Sequence, residues 1–591
     1  MPRSLKSLAG AFALLLATQL FADSAFWTAH LADSVQWRRW NDDTLQASKA
    51  ADRPLFFFVG HYGNSLARSM LGETFQNKTI ANTLNDTAIP ILVDVNEEPE
   101  LAALLGQMAL EHYSANELPT CLWTDSELAP LNGGGYFPPT DDWGGQGFLS
   151  VARNVAEQWS NNRPDYLAAA RERLQRSLAT QALPLDRPSA LSQVFTPETF
   201  SIREAPTLSA LALYNTARSV ELLPSDEADA MLAAMSQFLQ QVTHGAGFDS
   251  IEGGFFIGSN DPNWKLPLFQ KSTIDQGYLL LALAALHPRD PKPEYKFLME
   301  LTAGFIEKTL TKENKLALQY LDSFSAGETP DMPEGSYYLV ARPELAELSP
   351  SAIEAWGLSP EGNLDENTDV LGIYQGLNVP FAQSPDVLSH SLPSERNELH
   401  ALRKKKTPPL SDQTGYTATN ALLARALAKA SESLDEAKYR QQADKLFQAT
   451  LAATFDPSAK KLYNSDQRTQ LANSNDYAQA IAAALALASY ENGSHYFDTA
   501  RAIYETWKQD NRFQPNLLAR QIGIEERSYS IAQDSLFESP LALYLEHLPF
   551  LEDAPEPLQQ DLLQALPGLV VERPQSARSL HRWTHAQAPS D

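Results

Sequence analysis

The sequence predicts two domains of different class, a small α/β module followed by a larger all-α region. Three observations carry this expectation. Pro54 to Gly60 (PLFFFVG) and Ala88 to Asp94 (AIPILVD) are apolar runs of strand length, separated by a polar turn and a helix start. From about residue 207 the chain reads as helix after helix, with apolar residues such as Leu422, Leu423 and Leu427 on one face. Finally, 591 residues exceed what one core organises, since single cores stop growing near about 250–300 residues.

Residues 1–22 have the order of a secretory signal: a basic start with Arg3 and Lys6, a mostly apolar run from Leu8 to Phe21, and a small-residue end (FADSA). The run is shorter than the roughly 20 apolar residues of a spanning helix. A leader cleaved after Ala22, or else after Ala25, is expected, which makes the mature chain periplasmic or secreted. A Trp-bearing segment, Val35 to Trp40, and a helical stretch, Asp42–Ala51, precede the first strand. After the second strand come a helix over about 98–113, a run from Pro119 to Trp123, and a Gly-rich turn from Asn132 to Gly135. Strand, helix, strand, helix, then a proline before another strand is the order of a thioredoxin-like fold.

In that fold the turn after the first of these strands carries two cysteines one helical turn apart. The first sits at a helix N-terminus, where the dipole lowers its pKa. Here the turn reads HYGNSLARSM from His61 to Met70, and Asn64 and Ala67 hold those two positions. Neither can form a thiolate. The sole cysteine, Cys121, lies in an apolar run and reads as a buried, inert thiol.

The wording around this turn resembles the thioredoxin-domain family that includes spermatogenesis-associated protein 20. The matching residues include Val35, Trp37, Trp40, Arg53, Pro54, Met70, Glu73, Phe75, Asp94, Glu97, Pro99 and the run from Gly134 to Pro138. Further on they include Gly253 to Phe256, Asp261 to Trp264, Pro267, Phe269, Lys271 and Asp275. The resemblance implies an α/β thioredoxin-like domain followed by an all-α (α/α)6 toroid of the six-hairpin glycosidase type. It also implies a cis bond at Leu118-Pro119, in a loop that holds extended peptide. The expected divisions are a leader at 1–22, the thioredoxin-like domain at 23–165, a connecting helix and linker at 166–206, the barrel at 207–572 and a polar tail at 573–591.

Enzymes with such barrels place acid/base groups in a central cavity, and glycosidases need two facing carboxyl groups. The candidates are Asp275 and Asp412 as catalytic groups, with Asp249 and Glu252 also in family-like blocks. Trp264, Lys271, Asn420 and Asp476 are candidate substrate contacts, with Tyr278, Trp356 and Tyr477 as further aromatics. For each acid the competing role is a helix cap or loop hydrogen bond. The family's block PHFEKMLYD reads PLFQKSTID here, so Leu268, Gln270 and Ile274 replace a histidine, a glutamate and a tyrosine. A family tryptophan after Asp412 is also gone, with Ala418 or Thr419 in its place. These departures weigh against acid/base chemistry and toward a binding or scaffold role, with a carbohydrate hydrolase or epimerase as the alternative.

The formal net charge is −27, from 73 acids against 46 Lys plus Arg. Such a surface repels phosphate backbones and anionic lipid, so the expected partner is a peptide, protein or carbohydrate, with no nucleic acid and no membrane span after leader removal. The basic run Arg403 to Lys406 reads as a solvated loop. No Cys/His cluster has zinc spacing, so no metal or cofactor is expected.

Overall fold

In the computed structural model, the run after Pro54 is the strand β1 (Leu55–Gly60), buried along its whole length. Both faces of its sheet are covered, so the alternation expected of a half-exposed strand is absent. Phe58 meets Phe75 at 4.8 Å and Phe56 meets Trp123 at 4.4 Å between ring centroids. Phe57, on the opposite face, meets Trp40 at 5.5 Å.

The structure describes residues 24–513, apart from 32–33, 116–117, 142–144, 179–207, 209, 221–224, 329–331 and 491, together with 519–521, 528–530, 540, 543 and 547. The leader, most of the linker, most of the barrel region beyond 513 and the polar tail lie outside the described residues.

The four-stranded sheet has the order β2-β1-β3-β4, with β2 (Ile89–Asp94), β3 (Thr120–Thr124) and β4 (Pro130–Gly134). β2 runs parallel to β1, Leu55 opposite Ile89 and Gly60 opposite Asp94. A parallel pair needs a crossover, made by α3 (Ser65–Ser69), a π-helical turn (Met70–Thr74) and α4 (Lys78–Thr87). β3 and β4 follow antiparallel. Before the sheet come α1 (Ala25–His30) and α2 (Asp42–Ala51), the latter started by Asn41, whose side chain accepts from Thr44 N. The Trp-bearing lead-in joins the fold through backbone: Arg38 N donates to Pro90 O at 3.0 Å, and Leu92 N donates to Arg38 O at 3.1 Å. α5 (Pro99–Tyr113) opens on a proline, whose missing N–H costs nothing in a first turn. α6 (Phe148–Asn161) and α7 (Arg163–Leu178) follow.

The chain divides into two compact units. The first comprises Met1–Gln181 together with Lys461–Asn473 and Asn511–Ile531. Those later stretches are bonded into it: Asn464 Nδ2 and Asn473 Nδ2 both donate to Asn96 O, at 3.0 and 3.2 Å. Arg512 Nη2 donates to Ala472 O at 2.6 Å.

The second unit is helical. Its helices are α8 (Ala210–Ser219), α9 (Ser225–His244), α10 (Thr273–Leu286), α11 (Pro293–Phe305), α12 (Pro393–Arg403), α13 (Thr417–Leu434), α14 (Ala437–Thr454), α15 (Ser474–Ala488) and α16 (His495–Lys508). α8, α10, α13 and α15 lie side by side, while α11, α14 and α16 each pack on the helix before them. Among the described residues this is an arc of helical hairpins, the arrangement of an (α/α) barrel. The layering follows from composition: α10 is apolar nearly all round and buried nearly all round. Gly277 lets α10 and α13 approach, since a Cβ there would lie 2.9 Å from Leu422 Cγ.

A small antiparallel sheet precedes α10 and α13, in the order β5 (Lys271–Ser272), β6 (Tyr320–Ser325) and β7 (Pro409–Asp412). The run from Ser336 to Tyr338 is a turn. Gly335 takes φ +78°, and its carbonyl accepts from Tyr338 N and Leu339 N.

Candidate functional site

The first candidate site is the turn that leaves β1. Asn64 caps α3: its Oδ1 accepts from Ala67 N at 2.7 Å, the bond that a side-chain acceptor makes at a helix start. Its Nδ2 donates to Leu118 O at 3.2 Å, and the Leu118-Pro119 bond that follows is cis. The two positions that would bear thiols are therefore joined to each other and to the proline loop by a carboxamide. Ala67 is fully buried. Burial, with Arg68 adding, pulls the nearby His61 imidazole down to about 4, so it is neutral at pH 7. Cys121 is buried in β3 with its Sγ 4.0 Å from Met70 Sδ, and burial pushes its thiol well above the ordinary range. A thiol kept protonated is neither a nucleophile nor a metal ligand.

The second candidate set is in the helical unit, and there burial sorts the residues. Lys271, read from the sequence as a substrate contact, is fully buried. Its Nζ donates to Asp249 Oδ2 at 2.7 Å and to Gly253 O at 2.8 Å, and lies 4.5 Å from the Phe305 ring centroid. Arg403 completes the group, Nη1 lying 2.7 Å from Asp249 Oδ2 and 3.3 Å from Glu252 Oε2. The solvated loop expected at 403–406 is thus corrected: Arg403 is a buried residue of α12, next to the buried Leu402 and one helical turn after Leu399. Burial would raise the Asp249 carboxyl, but Arg403 and Lys271 outweigh it and hold the group below its ordinary range.

Trp264, Asn420 and Asp476 are likewise occupied inside the fold, not set on an open wall. Trp264 is fully buried beside Gly245 and Gly247. Asn420 is fully buried, its Oδ1 accepting from Ala317 N at 2.7 Å and its Nδ2 donating to Tyr416 O at 2.8 Å. Asp476 is buried, and its Oδ1 accepts from Ala418 N at 3.0 Å, so it caps α13 from α15. Of the aromatics, Trp356 donates to Ser250 Oγ at 2.8 Å, and Tyr477 stacks on Trp507 at 5.4 Å.

Asp275 and Asp412 keep a chemical interest. Asp275 lies in the first turn of α10, half-buried, its N–H donating to the cap Ser272. Loss of water pushes its carboxyl up to about 7. Asp412 is buried at the end of β7, where Oδ1 accepts from Thr414 N at 2.9 Å. Ser272, Tyr320 and Asp412 are cross-strand neighbours in one row, which separates the backbones of Ser272 and Asp412 by roughly 10 Å. Asp322, fully buried and two residues along β6 from Tyr320, extends that polar face. Nothing in the run around it marks it out in the sequence. Among the described residues no cluster of His, Cys, Asp or Glu is set to hold a metal ion, and no helix is long and apolar enough to cross a membrane.

A thioredoxin-like domain joined to a helical hairpin domain is the class these features define. Residues 18–179 match the Thioredox_DsbH family, described as a protein of unknown function, DUF255. The chain is 24% identical to spermatogenesis-associated protein 20 of Homo sapiens over 447 residues, which cover 68% of this chain and 56% of that protein. It spans about half the length of the curated mammalian relatives it matches. An uncharacterized protein of Caenorhabditis elegans, B0495.5, is 23% identical over 636 aligned positions, 95% of this chain and 85% of its own. Among solved structures, cellobiose 2-epimerase from Bacillus thermoamylovorans aligns at 8% identity and a TM-score of 0.35, over 65% of this chain and 75% of that one.

The Asp249 group gives a stability prediction. Asp249→Asn leaves Lys271 buried without its carboxylate and Arg403 with Glu252 alone, a loss of about 3–5 kcal/mol, read as a lower urea midpoint for the helical unit. Because the folded carboxyl titrates below its unfolded value, this contribution is complete above about pH 4 and is lost only as the pH falls further. The wild type should therefore lose it on acidification and the variant should not.

Proposed function

We propose that this chain is an exported binding or scaffold protein in which the thioredoxin-like turn presents an amide surface instead of a redox couple. One observation carries the reading: Asn64 and Ala67 stand where the thiols would, and the hydrogen bond between them replaces any sulfur chemistry. A carboxamide can donate and accept but cannot ionise or be oxidised in this role. The buried Cys121 supplies no substitute nucleophile. The ligand class that suits the loop at Pro119 is an extended peptide or protein segment, with carbohydrate as the class that the helical unit could take.

The test is a pair of measurements on the mature chain. Reduction of a protein disulfide by dithiothreitol should run no faster with the chain than without it. A peptide that binds, supplied at about 100 times its dissociation constant, should stabilise the protein by about 2.7 kcal/mol. A disulfide reductase activity that Cys121→Ser abolishes sinks the reading. Export predicts that chain recovered from the periplasm of a Gram-negative host begins at Asp23 or Phe26 by mass spectrometry; an intact Met1 there counts against it.

A second reading is favoured by Asp275, whose carboxyl titrates near neutrality and so suits a proton donor. In a hydrolase or epimerase using Asp275 and Asp412, turnover of a soluble glycan should fall as the pH rises through about 7, where the acid is lost. Asp275→Asn should remove it at every pH. Turnover of that kind would overturn the scaffold role.

A further inference from the structure

One loop of the helical unit holds apolar side chains out into solvent. Among the described residues the two most exposed large apolar side chains are neighbours, Leu371 at 81% and Val370 at 77%, and Ile373, at 46%, follows two residues on. The other exposed ones stand singly in the sequence, as Leu66 and Leu110 do, and single ones are normal on any surface. Three in a run of four are not, because each leaves in water an area that folding ordinarily removes.

The backbone of this loop is bonded from neck to tip. Asn363 closes the neck: its Oδ1 accepts from Val379 N and its Nδ2 donates to Val379 O, both at 2.8 Å. Leu364, Tyr374 and Leu377 pack with the apolar cluster that contains Phe256, Phe269 and Tyr338. Asp365 turns the outgoing chain, its Oδ1 accepting from Asn367 N and Thr368 N, each at 3.0 Å. Asp369 turns it back, Oδ1 accepting from Ile373 N at 2.9 Å and Oδ2 from Tyr374 N at 2.8 Å. Between them Gly372 takes φ +67°, a conformation that glycine adopts without strain. The turn that sends Tyr374 inward leaves Val370, Leu371 and Ile373 outside. A loop already ordered in this way loses little further freedom when a partner covers it.

Charge narrows the choice of partner. From Glu361 to Gly376 the chain carries four carboxylates, Glu361, Asp365, Glu366 and Asp369, and no Lys or Arg. Lys265 answers one of them, its Nζ 3.7 Å from Asp365 Oδ2. Two copies of the loop set tip to tip would bring like charges together, and an anionic lipid surface is repelled for the same reason. The complementary surface is apolar at its centre and basic at its edge.

We propose that this loop docks into a protein partner, with Val370, Leu371 and Ile373 filling an apolar pocket and the carboxylates meeting Lys and Arg side chains on its rim. The loop belongs to the second compact unit and the Asn64 turn to the first, so the two readings stand or fall separately. The probe is a phage-displayed library of small helical-bundle domains with randomised faces, which can form a pocket. It is selected on the full chain and counter-selected on V370S/L371S/I373S. Survivors should combine apolar residues with Lys or Arg on the randomised face. A purified survivor should bind the wild type saturably by fluorescence anisotropy, and V370S/L371S/I373S about tenfold or more weakly, because a few central apolar anchors carry most of such an interface. If circular dichroism shows that this variant does not fold, L371S alone, at the most exposed of the three positions, replaces it with about threefold weakening expected. E361Q/E366Q, at two exposed positions, should weaken binding about two- to threefold at low salt and leave it unchanged at high salt. The absence of any survivor, survivors with acidic faces, or equal affinity for the wild type and a folded serine variant overturns the proposal. So does a dimer in sedimentation that the serine variant abolishes, which assigns the loop to a second copy. Binding to phosphatidylcholine vesicles that the same variant abolishes assigns it to lipid and also overturns the proposal.

Discussion

Arg425 is the tie on which the helical unit depends. The four inner helices meet through small and aliphatic side chains, and such surfaces tolerate sliding. A set of hydrogen-bonded polar groups tolerates much less, because each buried donor must find its acceptor. Arg425 on α13 reaches Tyr214 on α8 and Gln479 on α15, and Gln479 Nε2 reaches Tyr278 Oη on α10 at 3.3 Å. Tyr214 and Tyr278 then face each other at 5.8 Å between ring centroids. One residue from each inner helix takes part, so the register of all four is set together.

The thioredoxin-like unit shows what remains when a fold keeps its geometry and changes the atoms at its reactive turn. The strand, the helix start and the cis-proline loop are all in place. The Asn64 carboxamide bridges the helix start and the loop with its two ends. It holds them as a structural bond would. The same economy recurs in the helical unit, where residues of the right chemical type for a sugar site are engaged by backbone, as Asn420 is by Ala317.

The elements that were legible in the sequence are those whose periodicity is local. The helical reading beyond residue 207, with Leu422, Leu423 and Leu427 on one face, is met by Thr417–Leu434 and the Ala437–Thr454 helix after it, because apolar spacing lies within each segment. The strands β6 and β7 were missed, since short runs buried among helices have no alternation to reveal them. Side-chain roles were harder still. Asp476 looked like the cap of its own helix and caps a neighbour fifty-eight residues earlier at Ala418. Arg403 looked solvated because it begins a basic run, yet the apolar spacing that buries Leu399 and Leu402 carries it inward too. In both cases the deciding partner is distant in sequence and close in space.

The first compact unit is assembled from three separate stretches, and this constrains how the protein is made. Lys461 lies 280 residues beyond Gln181, so a ribosome must deliver nearly the whole polypeptide before the N-terminal unit has all its parts. Domains usually complete themselves in the order of synthesis; here the earliest-made one finishes late, its Asn96 O accepting from two asparagine side chains made more than 350 residues afterwards. A chain ending at the linker would lack two of the three stretches that make up the first unit.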